Sequence, residues 1–237
     1  MEEKVKLLIF LVFLFIASAF SSFYLYSIIY PPQDTSTSTF SSVVLGEADY
    51  GTVIREGPYG NADSPHRIVY IVGVHPLEYQ VHQALLEAVT SQNESLKNCY
   101  YIYRVNVTQD AEDYEKGRSH GQLLANNYVV PDIENMSIDL VIDVHSNEGN
   151  YQKTRFLFIP EYSEKSEMIA LAIKNQTNWL TIYSPPNPTS PAYVTIPLIE
   201  AGIPSLIYET YTYESVNQTR TQTQELVSIV DNLSLWS

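Results

Sequence analysis

The chain has a single cysteine in 237 residues, Cys99, so no internal disulfide framework can brace it. Positive charge is also scarce. Against 27 Asp and Glu stand 13 Lys and Arg, a formal net charge of −14. Such a chain lacks the basic face that nucleic acid or an anionic membrane surface rewards, which argues against both as partners of its folded part. There is no glycine-rich phosphate loop and no G-x-S-x-G, and Cys99 has no partner motif, so neither a nucleotide cradle nor a nucleophile elbow is written here. Internal repeats are absent too.

Charge is missing altogether from residues 7–30, where most side chains are large and apolar. As a helix this run reaches roughly 36 Å, enough to cross a hydrocarbon core of about 30 Å. Ala17-Ser18-Ala19 also has the form of a signal cleavage site. Cleavage after Ala19 would leave Phe20, Phe23, Tyr24, Leu25 and Tyr26 on a new N-terminus with nothing to bury them, so an uncleaved anchor is the preferred reading. Lys4 and Lys6 precede the span and favour a cytoplasmic N-terminal end. The expected organisation is a cytoplasmic tip and transmembrane signal-anchor at 1–30, a Pro/Ser/Thr-rich stalk at 31–41, and an extracytoplasmic domain at 42–237. The chain is then a single-pass cell-membrane protein with its C-terminal domain outside, or a secreted one if the signal is cut. Six N-x-[ST] sites, at Asn93, Asn106, Asn135, Asn175, Asn217 and Asn232, exceed the roughly two or three that chance supplies and are glycosylation candidates.

From residue 67 onward, short apolar runs alternate with amphipathic ones. Residues 67–74 (RIVYIVGV), 100–107, 138–144, 155–159 and 205–208 read as strands. Residues 79–90, 168–180 and 220–233 read as helices, and 121–130 as a helix that Pro131 stops. Alternating strands and helices imply an α/β layered domain with a mostly parallel sheet. Sites in such sheets form beyond the carboxyl ends of strands, where the strand order reverses.

Three strand ends carry metal-type residues. The first strand runs into His75-Pro76-Leu77-Glu78, which puts an imidazole and a carboxylate one turn apart on a shared face. The second runs into His145-Ser146-Asn147 and the third into Glu209-Thr210. Two histidines and a carboxylate with a fourth position open make a catalytic rather than a structural zinc site, and a further carboxylate suits a general base. Each piece alone is weak: H-x-x-E arises by chance about 0.4 times in such a chain, and His145–Glu148 also fits it. The shared placement at strand ends carries the inference.

These blocks resemble the zinc carboxypeptidase superfamily, in particular its branch of succinylglutamate desuccinylases and aspartoacylases. The resemblance lies in G-V-H75-P-L-E78, D-V-H145-S and E-A-G-I-P-S-L-I-Y-E209-T. It implies one Zn2+ per chain on His75, Glu78 and His145, Glu209 as general base, and a mixed sheet flanked by helices. It also implies an arginine between the first two blocks, to hold a substrate carboxylate or to stabilise the developing oxyanion, for which Arg118 is the candidate although the family's Asn-Arg pair is absent. The gap between Glu78 and His145 is short for the family. The function that follows is a zinc-dependent hydrolase of amide bonds, carboxypeptidase- or deacylase-type, acting on a peptide (cell-wall peptides included) or an N-acyl amino acid. The alternative is a catalytically inactive surface binding or adhesion protein on the same scaffold. His120, Tyr211 and Tyr213 are candidate pocket residues, whereas His82 reads as packing and His66 as loop.

Overall fold

The structure, a computed structural model, describes residues 39–186, 188 and 190–236, with Glu3 and Lys6. The proposed anchor at 7–30 and most of the stalk lie outside the described residues. Among those described, no helix is long and apolar enough to cross a membrane. The chain divides into two units, Met1–Thr37 and Ser38–Ser237, and the second carries everything below.

Its strands are β1 (Ser41–Ala48), β2 (Gly51–Gly60), β3 (Arg67–Val72), β4 (Cys99–Val107), β5 (Leu140–Asn147), β6 (Phe156–Phe158), β7 (Thr181–Ile182) and β8 (Ser205–Tyr211). They form one sheet in the order β1-β2-β4-β3-β5-β8-β6-β7. The pairs β3/β4, β3/β5, β5/β8 and β6/β7 are parallel, and β1/β2, β2/β4 and β6/β8 are antiparallel. The sheet is therefore mixed, with its parallel stretch in the centre. From β3 the chain moves to β4 on one side and then to β5 on the other. That reversal opens a crevice beyond the carboxyl ends of β3 and β5.

Both faces are covered, as the near-continuous apolar strands require. Ile68, Tyr70 and Val72 point to one face, where they meet α1 (Tyr79–Gln92), α4 (Glu164–Lys174) and α6 (Val216–Asp231). Val69 and Ile71 point to the other, against α2 (Tyr114–Leu124), α3 (Val130–Glu134) and α5 (Thr195–Glu200). The tyrosines of the strands serve this packing: Tyr70 and Tyr100 stack with centroids 5.9 Å apart, and the Tyr100 hydroxyl donates to Asp231 at 3.0 Å.

Two expectations need correction. Pro131 does not stop a helix at 121–130. The helix starts earlier, at Tyr114, widens through a π turn at Ala125–Val129, and runs on into α3 with Pro131 in the first turn of that element. The antiparallel β1 and β2 were not expected. Their apolar residues are few and, apart from buried Val53, exposed or half-buried, so the alternation that marks a strand is weak there.

Candidate metal centre

β3 ends at Val72, and Gly73 follows with φ +88; a Cβ there would collide with the Val105 carbonyl, so the chain can turn this tightly only at glycine. His75 is extended, and Pro76–Glu78 form a 3-10 turn with Pro76 in its first position. A 3-10 turn has three residues per turn, so side chains three apart eclipse. His75 Nδ1 consequently lies 2.8 Å from Glu78 Oε1.

β5 continues through His145 to Asn147, so this histidine lies within the strand rather than beyond it. Its Nδ1 is 2.9 Å from Glu78 Oε2, which also accepts from the Ser146 N–H at 3.0 Å. The two imidazole rings are 4.4 Å apart. One ligand atom from each of His75, Glu78 and His145 lies within 4.8 Å of the others, and all three residues are buried. Two Nδ1 atoms and a carboxylate converging in this way fit a divalent cation, and the donor types are those zinc takes. That the three are brought together is the property their spacing could only suggest.

Each imidazole has a polar group behind it. His145 Nε2 is 3.0 Å from Asp143 Oδ2, at an angle that makes an ion-pair contact rather than a hydrogen bond. His75 Nε2 is 3.2 Å from the side-chain nitrogen of Gln122, an amide whose oxygen and nitrogen exchange places by a half-turn. Gln122 reaches that place because α2 lies directly on the loop: a Cβ on Gly121 would collide with the Val74 carbonyl. If the Gln122 carbonyl oxygen faces Nε2–H, the lone pair of His75 is left on Nδ1, where an ion needs it.

Arg118, one turn before Gln122 on α2, extends Nη1 to 3.0 Å from His75 Nδ1 and 3.2 Å from Glu78 Oε1. Its guanidinium carbon lies 5.1 Å from the centroid of the Tyr114 ring. Glu209 pairs in register with His145 across the parallel β5/β8 ladder, so both side chains leave the same face of the sheet. Glu209 Oε2 accepts from Asn147 Nδ2 at 3.1 Å. His75, Glu78, Arg118, Asn147, Tyr151 and Glu209 all line one cleft.

Electrostatics separate the carboxylates. Burial alone would raise the Glu78 pKa, but the charges and hydrogen bonds of His75 and His145 outweigh it and hold the group well below the usual range. Burial would lower His145, yet Asp143 and Glu78 hold it well above 6.5. For His75 burial wins and lowers the pKa. Glu209 goes the other way: burial and the nearby Glu78 charge push it up to about 7.

Other expected pocket residues lie elsewhere. His120 stacks on Tyr50 with centroids 4.6 Å apart and does not line the cleft; two residues from Arg118 on a helix, it faces nearly the opposite way. Tyr211 and Tyr213 pack edge-on to each other at 5.7 Å, and the phenols that do line the cleft are Tyr114 and Tyr151. Buried His82 makes a 3.0 Å contact from Nε2 to the Val144 carbonyl, a packing role. Of the sequon asparagines, five are exposed; Asn93 is half-buried and accepts from the Gly60 N–H at 2.8 Å. Asp143, Gln122 and Asn147 carry no role in the sequence reading. Asp143 was findable, since residues two apart on a strand share a face with His145.

No family model and no curated protein matches the sequence. Solved structures do match in fold. A metallo-carboxypeptidase from Burkholderia cenocepacia aligns at TM-score 0.53 and 15% identity, over 90% of this chain and 67% of that one. A metallo-carboxypeptidase from Pseudomonas aeruginosa, in complex with (2-guanidinoethylmercapto)succinic acid, aligns at 0.53 and 13% identity, over 84% and 64%. The apo cell shape determinant protein of Helicobacter pylori aligns at 0.54 and 10% identity, over 76% and 53%. The chain has the metallo-carboxypeptidase fold. It spans about two thirds of the two carboxypeptidases and about half of the third protein.

Proposed function

We propose that the chain is a zinc-dependent hydrolase of amide bonds, of the carboxypeptidase or deacylase type, with one zinc ion held by His75, Glu78 and His145. The observation that supports it is the convergence of two Nδ1 atoms and one carboxylate beside a cleft that His75, Glu78, Arg118 and Glu209 line. A zinc ion held there by His75, Glu78 and His145 would supply a Lewis acid and lower the pKa of a water towards neutrality. Glu209, poised near neutrality, takes a proton from the attacking water and returns it to the departing amine. Arg118 faces the carbonyl oxygen as negative charge builds on it. Asn147 holds the Glu209 carboxylate in place.

Outside the membrane the substrates would be peptides, cell-wall peptides among them, or N-acyl amino acids. The extracytoplasmic placement, the anchor and the glycosylation rest on the sequence alone. The short stretch between Glu78 and His145 and the unusual context of Arg118, preceded by Gly117, favour one other reading, a binding protein that keeps the scaffold without turnover. Turnover by the zinc-loaded parent separates the two, and Glu209→Gln then tests the base. For the hydrolase, zinc content stays the same and turnover falls by ~10²–10⁴-fold. Unaltered turnover would remove Glu209 from the chemistry.

A further inference from the structure

We infer that the ion pair between Arg155 and Glu214 is a positioning pair for the cleft: it pins the loop between β5 and β6 against the turn after β8 and, through Asn147, keeps the Glu209 carboxylate aimed. This role presupposes the hydrolase reading and adds to it two residues that touch neither the metal position nor the substrate.

The loop, residues 148–155, brings Glu148, Asn150 and Tyr151 to the cleft wall. It holds no helix or strand of its own, so its path is set by what fastens its two ends. At the near end the Thr212 N–H donates to the Asn147 carbonyl at 2.9 Å, and the Thr212 hydroxyl donates to Ser146 Oγ at 3.0 Å. At the far end Asn147 Nδ2 donates to the Thr154 carbonyl at 3.0 Å, and the Arg155 guanidinium meets Glu214. The loop's other cation, Lys153, is exposed, so Arg155 is the one that turns inward.

Glu214 lies in a costly place for a charge. Its side chain is 1% exposed, and neither carboxylate oxygen has another partner among the described residues, so Arg155 is its counter-charge. The backbone around it is fixed: its N–H donates to the Tyr211 carbonyl at 3.1 Å, and its carbonyl accepts from Gln80 of α1 at 3.2 Å. A buried pair of this kind adds little stability over apolar side chains of the same volume, because desolvation offsets most of the attraction. It does impose one placement, since moving Arg155 away would strand the carboxylate. That placement reaches the proposed base. Phe156, next to Arg155, pairs in register with Glu209 across β6 and β8. The Asn147 amide that holds Thr154 also lies 3.1 Å from Glu209 Oε2 and 2.9 Å from the Thr210 carbonyl. A shift of Thr154 therefore turns Asn147, and with it the Glu209 carboxylate. Misplacing a reacting group by about 1 Å can cost ~10²-fold in rate.

The test uses the full-length, zinc-loaded chain with N-acyl dipeptides and N-acetyl amino acids as substrates, and replaces the pair by apolar side chains, Arg155→Met with Glu214→Met. The double variant should melt near the parent and take up the same zinc, while kcat falls ~10-fold or more and KM shifts by less. Glu214→Gln, the same size without the charge, should show the same split and serves where the double variant does not fold. A pair that only braces the fold would lower the melting temperature and spare kcat; a kcat within about twofold of the parent overturns the role. In a Glu209→Gln background the double replacement should cost no further turnover, because the group it aims is gone. A loss there as large as in the parent shows that the pair acts on something else, and overturns it. A parent that cleaves none of the substrates contradicts the hydrolase reading instead. The pair's hold on the loop is then read from amide hydrogen exchange over residues 148–154: a rise of ~10-fold or more in the double variant supports it, and unaltered exchange overturns it.

Discussion

At Glu78 two imidazoles meet one carboxylate, and each imidazole is backed by a different group. Asp143 behind His145 is anionic, whereas Gln122 behind His75 is a neutral amide. An outer partner of this kind fixes tautomer and ring orientation, and its loss typically weakens metal binding ~10–100-fold. Gln122→Leu should therefore lower zinc affinity by about that factor in a chelator competition, with the far-ultraviolet circular dichroism unaltered. Full affinity in that variant would show that packing alone orients His75. His82 gives a pH prediction. Burial, only partly opposed by Glu78, depresses its pKa from 6.5 to about 4. Between those values the unfolded chain binds the extra proton, so stability present above pH 6.5 is lost as pH falls toward 4, by up to ~3 kcal/mol. His82→Gln should flatten that acid limb in urea melts; an identical pH dependence would contradict the assignment.

The elements that build the centre are held by close backbone approaches. α2 presents both Arg118 and Gln122 because Gly121 lets it rest on the Val74 carbonyl. Gly121→Ala should push α2 outward and reduce both stability and zinc affinity, read by thermal melting and chelator competition; a variant unchanged in both would show that the contact relaxes freely. On the other face, Leu85 of α1 is fully buried, and Leu85→Ala should cost ~2–5 kcal/mol in denaturant unfolding without changing zinc stoichiometry. Much of this was legible in the sequence. RIVYIVGV and IDLVIDV announce buried strands, and the residues that end them are the ones the structure gathers. Gln122 was hidden because α2 begins with a polar turn, YEKG, that carries no apolar period. Helix, π turn and Pro131 then follow without a break, so the start of α2 at its Asp113 cap was missed. The Tyr151 side chain comes from a loop whose path depends on β6 pairing antiparallel with β8, a contact no local pattern encodes.

For the whole molecule, the order β4-β3-β5-β8 places the ends of β3, β5 and β8 around one crevice. Residues 75, 145 and 209 are distant in the chain and adjacent in space for that reason. An ion bound to the folded chain alone stabilises it by mass action, about 4 kcal/mol at a thousand times its dissociation constant, so zinc should raise the melting temperature on the order of 10 °C and chelation should reverse it. The most direct test of the central claim is zinc stoichiometry by elemental mass spectrometry on the purified full-length chain and on His145→Ala. One zinc per chain in the parent and none retained by a folded His145→Ala is the expected result. A folded parent that takes up no zinc, or a variant that keeps its full complement, would contradict the shared centre of His75, Glu78 and His145.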